Sequence, residues 1–235
     1  MQLSIVSPVY NKAPYIGEMI KSILGQKHEI DWELILVDDG STDSSAQVCR
    51  YYASQDHRIS YYYKKHSGIA DTRNYGNQKA KYDLISVCDA DDIWLDNRFK
   101  VIDDYFSKND VDMFYTAIYQ GTTLGNPFEL WKAQPITKEK LQQGEQGFVH
   151  GTSVYKRDKI LKTPYRKEQV INDDFALAID WLKARYKMGY SNEPTVIYRV
   201  LPSSISKKYF KKIRIQCKKL GKELYEYKKS VSLHQ

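Results

Sequence analysis

The sequence predicts an α/β fold, in which a mainly parallel sheet is flanked by helices. Short apolar runs typical of buried strands recur at residues 3–7, 33–37, 59–63 and 84–88. Segments with helical signals separate these runs, and strands that alternate with such helices form parallel sheets covered on both faces. Because ligands of these sheets bind at the carboxyl ends of the strands, candidate functional residues are expected directly after each run.

The first strand continues into Pro8-Val9-Tyr10-Asn11, after which a helix is predicted from Pro14 to the residue before Gly25. Proline suits the first helical turn, where an amide hydrogen would have no partner within the helix. Apolar residues then keep the spacing of one buried helix face. They are Ile16, Met19, Ile20, Ile23 and Leu24.

The second strand ends in a turn, Asp38-Asp39-Gly40-Ser41-Thr42-Asp43, which offers a glycine and several N-cap side chains. A helix is therefore expected over residues 44–54. The third strand follows, and the segment from Gly68 to Gly76 begins another helix ahead of the fourth strand. A carboxylate thus stands at the carboxyl end of the second strand, on the edge of the sheet where ligands bind.

An aspartate cluster, Asp89-Ala90-Asp91-Asp92, directly follows the fourth strand. Crowded carboxylates repel one another unless a cation or a bound proton compensates. Hard oxygen ligands suit Mg²⁺ or Mn²⁺, which keep coordination positions open for phosphate oxygens. The cluster therefore indicates a divalent metal beside a diphosphate, and the alternative is a solvated acidic turn that caps the next helix.

At these stretches together the chain resembles the family 2 glycosyltransferases, which are inverting, nucleotide-sugar-dependent enzymes with the GT-A fold. The matching segments are residues 8–11, 37–43, 68–76 with Arg73-Asn74, and 89–92. The resemblance is strong over residues 1–110 and looser up to about residue 206. It implies a GT-A catalytic domain over 1–206, with a nucleotide-sugar-binding half at 1–110 and an acceptor half at 111–206.

The resemblance implies a site for the nucleobase of the donor. Tyr10 would lie against the base, with Pro8 and Asn11 in the same donor site, and the Asp39 carboxylate would accept the N3–H of a uracil. This pairing favours a UDP-sugar. The structural alternatives are core packing for Tyr10 and a helix cap for Asp39.

The resemblance also implies a site for the diphosphate. Arg73 would neutralise phosphate charge, and Asp89 and Asp91, with Ala90 between them, would hold Mn²⁺ or Mg²⁺. The metal would stabilise the departing nucleoside diphosphate. For Arg73 the structural alternative is a surface ion pair.

In the acceptor half, Asn172-Asp173-Asp174-Phe175 resembles the segment that carries the family's catalytic base. Inverting transfer needs a carboxylate that takes the proton of the attacking hydroxyl. Asp174 is the predicted general base and Asp173, which stands where glutamate is usual, is the second candidate. The alternative is that both acids only stabilise the positive end of a helix dipole.

Residues 198–204 resemble the closing segment of the family, with one departure. Leu201 stands where many members carry a histidine, and leucine cannot coordinate a metal. Arg199, Ser203 or Ser204 would then contact phosphate, or water would fill the position, or the chain would close less firmly over its donor. His150 is a candidate for the acceptor pocket, although a lone histidine is more often structural.

Length and composition agree with one catalytic domain plus an appendage, in a soluble or peripheral protein. The 235 residues are 42% hydrophobic, and no apolar run approaches the ~20 residues that span a bilayer. No signal peptide precedes the first strand, and the three cysteines are widely spaced, so a cytoplasmic protein with reduced thiols is expected. Residues 121–135 are predicted to form an irregular loop on the acceptor side.

The charge of the chain is concentrated in its last residues. Residues 203–235 contain ten Lys or Arg and two Glu, a net +8, so the rest of the chain sums to −1 against a total of +7. Residues 207–235 are predicted to form a basic amphipathic helical tail. Its apolar seam consists of Phe210, Ile213, Cys217, Leu220, Leu224, Tyr227 and Val231.

Three roles fit this tail. The seam would dock on the catalytic domain, or residues 207–229 would make peripheral contact with an anionic membrane at the inner face of the cell, or two copies would pair as a homodimer. Nucleic-acid binding is not expected, because the basic residues lie on the tail whereas the predicted crevice is acidic.

The expected reaction is metal-assisted transfer of a sugar from a nucleotide donor to a hydroxyl of a surface glycan or lipid-linked glycan. A nucleotidyltransferase is disfavoured because no early glycine-rich, basic loop is present to cradle a triphosphate. A dinucleotide dehydrogenase is disfavoured because no GxGxxG follows a strand. An inactive nucleotide-sugar-binding or assembly module stays an alternative, with Leu201 as its indication.

Overall fold

A computed structural model of the chain describes residues 1–169, 171–202 and 210–224. Within them, strands and helices alternate regularly up to β4, and the later elements follow no regular alternation. The strands are β1 (Gln2–Val9), β2 (Asp31–Asp38), β3 (Ile59–Tyr63), β4 (Leu84–Val87), β5 (Ile93–Trp94), β6 (Met113–Gly121), β7 (Pro127–Trp131), β8 (Val154–Lys156) and β9 (Met188–Arg199). The α-helices are α1 (Ala13–Leu24), α2 (Ser45–Gln55), α3 (Ile69–Lys79), α4 (Arg98–Phe106), α5 (Lys138–Gln143), α6 (Arg157–Lys162), α7 (Asp173–Lys183) and α8 (Phe210–Gly221), and a 3₁₀ helix spans His150–Thr152.

The first half of the sheet is parallel, in the order β3-β2-β1-β4. The four strands and the helices between them were predicted from the sequence, and their alternation is confirmed. The chain moves from β1 to β2 and β3 on one side and then returns to the other side of β1 at β4. Ligands of open α/β sheets bind at such a reversal of strand order. The carboxyl ends of β1 and β4 are therefore the expected place for a ligand.

The second half of the sheet is mixed. β8 is antiparallel to β4 and β6, β5 is antiparallel to β9, and β9 is parallel to β6. The prediction of an irregular loop over residues 121–135 was wrong, because that range contains β7, which pairs antiparallel with β6. All residues of β7 are exposed. A strand with no buried face has no alternation of apolar and polar residues from which it could be predicted.

Two hydrophobic layers cover the sheet. α1, α2 and α4 contribute to one layer, and α3 and α5 to α8 contribute to the other. The predicted face of α1 is buried at Ile16, Met19, Ile20 and Ile23, whereas Leu24, the last residue of the helix, is exposed.

Helix α8 packs against α5 and α7. Cys217, Leu220 and Leu224 are buried in the same cluster as α7. A Cβ atom at Gly221 would lie 2.2 Å from the carbonyl oxygen of Leu141, so only glycine permits this approach. For residues 213–224 the docking alternative is therefore observed, and packing offsets the helix-weakening effect of the glycine. The predicted seam residues Tyr227 and Val231 and the side chain of Phe210 lie outside the described residues.

In the described parts of the chain, no helix combines the length and the apolar character needed to cross a membrane.

Candidate functional site

The aspartate cluster lies at the carboxyl end of β4, and two side-chain cations compensate it. Nη2 of Arg73 donates to Oδ1 of Asp89 over 2.9 Å. Nζ of Lys12, which follows β1, donates to Oδ2 of Asp91 over 2.5 Å. The second ion pair spans the reversal of strand order between β1 and β4. Lys12 was missed by sequence reasoning, although its place directly after the Pro8-Val9-Tyr10-Asn11 segment was a usable signal.

Asp92 is a buried member of the cluster. Its Oδ1 accepts the backbone N–H of Arg199 over 3.1 Å, and Oδ2 has no hydrogen-bond partner among the described residues. Burial is the main cause that raises the pKa of Asp92 well above its usual range, and the negative charges of Asp91 and Asp89 add to it. Asp92 therefore ties the acidic turn to the end of β9.

The donor set fits a divalent cation that shares its coordination with a ligand. Among the described residues, no group of three or more His, Cys, Asp or Glu side chains could hold a metal ion by itself. Mg²⁺ sites commonly use only one or two carboxylates and take the remaining oxygens from phosphates and water. The side chains of Asp89 and Asp91 are partly exposed, so a ligand from solvent can reach them. A Cβ atom at Gly151 would lie 3.1 Å from Oδ2 of both Asp89 and Asp92, so a larger residue would crowd these oxygens.

Arg73 links the acidic turn after β4 to the first turn of α7. It is buried on α3, and its guanidinium binds Asp89 through Nη2 and Asp173 through Nη1. Burial would lower the pKa of Arg73, but the charges of Asp173 and Asp89 raise it well above its usual value. α3 can approach β1 this closely because residue 76 is glycine; a Cβ atom there would lie 2.4 Å from Cγ1 of Val6.

Asn74, the neighbour of Arg73, fixes the segment that precedes α7. Its side chain donates to the carbonyl oxygen of Tyr165 over 2.8 Å and accepts the N–H of the same residue over 3.0 Å. The Arg73-Asn74 pair thus positions both α7 and the segment before it.

Asp173 and Asp174 form the first turn of α7, where acids also suit the helix dipole. Asp173 is buried and paired with Arg73. Asp174 is half-buried, and it accepts the Nε2 of Gln146 over 2.5 Å and the N–H of Phe175 over 2.8 Å. Burial is the main cause that raises the pKa of Asp174 to about 6, and the negative charge of Asp173 is the second cause. Asp173 is thus paired with a cation, whereas Asp174 accepts from the neutral amide of Gln146 and from a backbone N–H. Gln146 was not predicted.

Asp39 holds the loop that follows β3. Its carboxylate accepts Nζ of Lys64 over 2.8 Å and the N–H groups of Ser67 and Gly68 over 2.9 and 3.0 Å. Burial would raise the pKa of Asp39, but Lys64 and the two backbone donors outweigh it and hold the pKa below its usual range. The contact between Asp39 and a uracil stays a prediction.

Tyr10 is 44% exposed, so it is not a core residue. Its ring stacks on the ring of His66, with centroids 4.5 Å apart. His66 was not predicted as a site residue. The stack lies beside Asp39, because Nδ1 of His66 is 2.8 Å from Oδ2 of Asp39.

Pro8, Asn11 and Ala90 shape the strand ends. Pro8 lies within β1 opposite Val37, and Ala90 is buried. Asn11 has a φ of 51°, and its Oδ1 accepts the N–H of Thr42 over 2.8 Å, which joins the turns after β1 and β2. Contacts of these three residues with a donor stay predictions.

Arg199 is buried beneath the acidic turn. Its guanidinium binds the carboxylate of Glu18 and donates to the carbonyl oxygen of Asp91 over 3.3 Å. A contact between Arg199 and phosphate, which stays a prediction, would compete with Glu18. Leu201 is buried as well, and the alternative phosphate ligands Ser203 and Ser204 lie outside the described residues.

His150 has a structural environment. It is buried, and its Nε2 lies 2.7 Å from the hydroxyl of Tyr165 and 3.0 Å from that of Tyr155. Burial, followed by the charge of Arg73, lowers the pKa of His150 well below its usual value. The structural alternative for this histidine is the one observed.

Comparisons with known proteins agree with this architecture. The family model "Glycosyl transferase family 2" matches residues 4–163. The glycosyltransferase GlyG of Streptococcus pneumoniae serotype 4 is 27% identical over 223 residues, which cover 88% of this chain and 74% of GlyG.

Two solved structures share the fold. S. aureus TarS 1–349 in complex with UDP-GlcNAc has a TM-score of 0.69 at 17% identity, over 87% of this chain and 60% of that chain. The mannosyltransferase PcManGT from Pyrobaculum calidifontis, in complex with GDP-Man and Mn²⁺, has a TM-score of 0.65 at 18% identity, over 91% of this chain and 61% of that chain. The chain thus spans about three fifths of the length of either structure. The predicted GT-A fold is confirmed, and the family match over residues 4–163 shows that the chain belongs to the family 2 glycosyltransferases.

Proposed function

We propose that the chain is an inverting glycosyltransferase that moves a sugar from a UDP-sugar to a hydroxyl of a surface glycan or lipid-linked glycan, with assistance from a divalent metal. The observation that carries this proposal is the bridge made by Arg73. Its guanidinium binds Asp89 on the donor side and Asp173, the neighbour of Asp174, on the acceptor side. One ion-paired network therefore joins Asp89, a proposed metal ligand, to the residue beside the candidate base.

On the donor side, Asp89 and Asp91 would hold Mn²⁺ or Mg²⁺. The bound metal would supply positive charge to the leaving nucleoside diphosphate. Lys12 and Arg73 add fixed positive charge at the same place, which favours a polyanionic ligand. The UDP-GlcNAc bound to TarS and the Mn²⁺ and GDP-Man bound to PcManGT support a nucleotide-sugar donor with a metal.

On the acceptor side, Asp174 would accept the proton of the acceptor hydroxyl as its oxygen bonds to the anomeric carbon. The bond from that carbon to the diphosphate breaks on the opposite face, so the configuration inverts. A carboxylate with a pKa of about 6 is ionised at neutral pH and still accepts a proton more readily than an ordinary aspartate. Asp173 would hold Arg73 in position between the two substrates.

The proposal is tested first by binding and then by chemistry. A thermal-shift panel of UDP-sugars and GDP-mannose with Mn²⁺ is expected to show stabilisation by UDP-sugars, because a ligand that binds only the native state raises its stability. Incubation of the best donor with candidate acceptors should then give a product whose anomeric configuration, measured by NMR, is opposite to that of the donor. Binding without any product would favour the inactive-module alternative. A chain that no nucleotide sugar stabilises would contradict the donor assignment.

The outer face of α8 carries a second proposal, peripheral contact with an anionic membrane. Docking buries Cys217 and Leu220 and directs lysines outward around Ile215, which is 70% exposed. A basic residue near an anionic surface contributes ~1 kcal/mol of binding. Four of the exposed lysines are Lys211, Lys218, Lys219 and Lys222.

Replacing these four lysines by glutamate is expected to abolish co-sedimentation with phosphatidylserine vesicles, because charge attraction becomes repulsion. Turnover of a soluble acceptor should be unchanged. The matched control makes the same charge change on the opposite helical layer, at Lys21, Lys27, Lys100 and Lys108, which are also exposed. Equal loss in both variants would show that only net charge matters, and unchanged sedimentation of the α8 variant would exclude this face.

A further inference from the structure

His66 lies where two recognition groups of the donor site meet. Its ring stacks on Tyr10 at a centroid distance of 4.5 Å and an interplanar angle of 27°. Its Nδ1 also lies 2.8 Å from Oδ2 of Asp39. The His66 side chain is 57% exposed, so solvent reaches the ring from outside. The histidine therefore covers an exposed aromatic face and a buried carboxylate at the same time.

A nucleobase would make the same two contacts. Uracil is a planar ring that stacks on an aromatic side chain and presents an N–H donor to a carboxylate. The imidazole of His66 has both properties. Only one ring at a time can cover the same face of Tyr10 while its N–H points at Asp39. We propose that His66 occupies the nucleobase position of the donor-free enzyme and that the base of the donor displaces it. This inference rests on the donor site of the proposed function.

The loop around His66 is held independently of its ring. Lys64, Ser67 and Gly68 all donate to the Asp39 carboxylate, so Asp39 keeps three donors when the imidazole leaves. The backbone of His66 also lies close to Gly40, where a Cβ atom would be 3.1 Å from the amide nitrogen of His66. Displacement therefore requires rotation of an exposed side chain, and the loop backbone stays in place.

This arrangement makes His66 a determinant of donor selectivity. For a ligand that must displace the imidazole, the apparent affinity is the intrinsic affinity multiplied by the fraction of molecules in which the site is open. A ligand with no base leaves His66 in place and has no such cost. A base with an N–H donor replaces the hydrogen bond that His66 made to Asp39. Cytosine cannot replace it through N3, because that atom is an acceptor.

The test is calorimetric titration of UDP with Mn²⁺ into the full chain and the His66→Ala variant. The variant is expected to bind UDP about three- to tenfold more tightly, because the competing ring is gone. Inorganic pyrophosphate with Mn²⁺, which has no base, should bind both proteins with equal affinity. The matched control is His57→Ala, which removes another exposed histidine at the turn before β3 and should leave both affinities unchanged.

A second measurement does not depend on the variant. In the wild-type chain, the NMR signals of the His66 ring should lose the shift caused by stacking on Tyr10 when UDP is added, and should keep it with pyrophosphate. Weaker or unchanged UDP binding by His66→Ala, or a His66 ring signal that UDP does not move, would overturn the inference while UDP binding by the wild-type chain upholds the donor site. A wild-type chain that binds no nucleoside diphosphate would overturn both.

Discussion

Replacement of Asp174 by asparagine is expected to lower kcat by about 10²–10⁴-fold, with nearly unchanged affinity for the UDP-sugar. An amide has the size of the carboxylate but cannot accept the proton of the acceptor hydroxyl. Steady-state kinetics with varied donor and acceptor, together with direct titration of the donor, separate the two effects.

The pH profile supplies a second readout. Because the pKa of Asp174 is raised to about 6, the base is protonated below that pH, and kcat/KM for the wild-type chain should rise as the pH passes through about 6. This rising limb should be absent from Asp174→Asn. The raised pKa also means that Asp174 favours folding only in its protonated form, and this stability is lost as the pH rises through about 6. At pH 7 the asparagine variant should therefore be at least as stable as the wild type.

The control for Asp174 is Asp173→Asn. This change removes one partner of the buried Arg73, so it should lower the melting temperature while reducing kcat less than Asp174→Asn does. A helix-cap role for Asp174 predicts nearly full turnover, since asparagine caps a helix about as well as aspartate. Full turnover of Asp174→Asn, or retention of configuration at the anomeric carbon, would remove Asp174 from the mechanism.

Asp91→Asn is expected to weaken UDP binding in Mn²⁺ by at least about tenfold, because the predicted metal would lose a charged ligand. Calorimetric titration of UDP with Mn²⁺ and then with chelator measures the metal contribution in the wild-type chain. Equal affinity under both conditions would contradict the metal assignment.

Lys12→Ala is the matched control for this prediction. It removes the ion pair with Asp91 but keeps the carboxylate, so UDP binding should still require metal. If the wild-type chain bound UDP equally well in Mn²⁺ and in chelator, and Lys12→Ala weakened that binding, the lysine rather than a metal would account for the charge compensation at Asp91.

The sequence by itself determined the parallel half of the fold and the position of the acidic turn. Strand and helix periodicities are local patterns, and β1 to β4 each show one clearly. Asp39 directly follows β2 and Asp89 follows β4 after one residue, so their arrival at one edge of the sheet follows from the parallel order alone. The same logic failed for β7, whose exposed residues have no core to impose a pattern.

Only the tertiary structure decided which partners these residues have. Arg73 and Asp173 are 100 residues apart in the chain, and nothing in their local sequence encodes the pairing. The contacts of Lys12 with Asp91 and of His66 with Tyr10 are equally non-local. The sequence also left three roles open for the basic helix. Its apolar seam could be buried equally well against its own domain, against a membrane or against a second copy of the chain. The docking of α8 on α5 and α7 depends on the packed core. The seam packs there because the neighbouring surface has a complementary shape, and because Gly221 has no Cβ to collide with the carbonyl oxygen of Leu141.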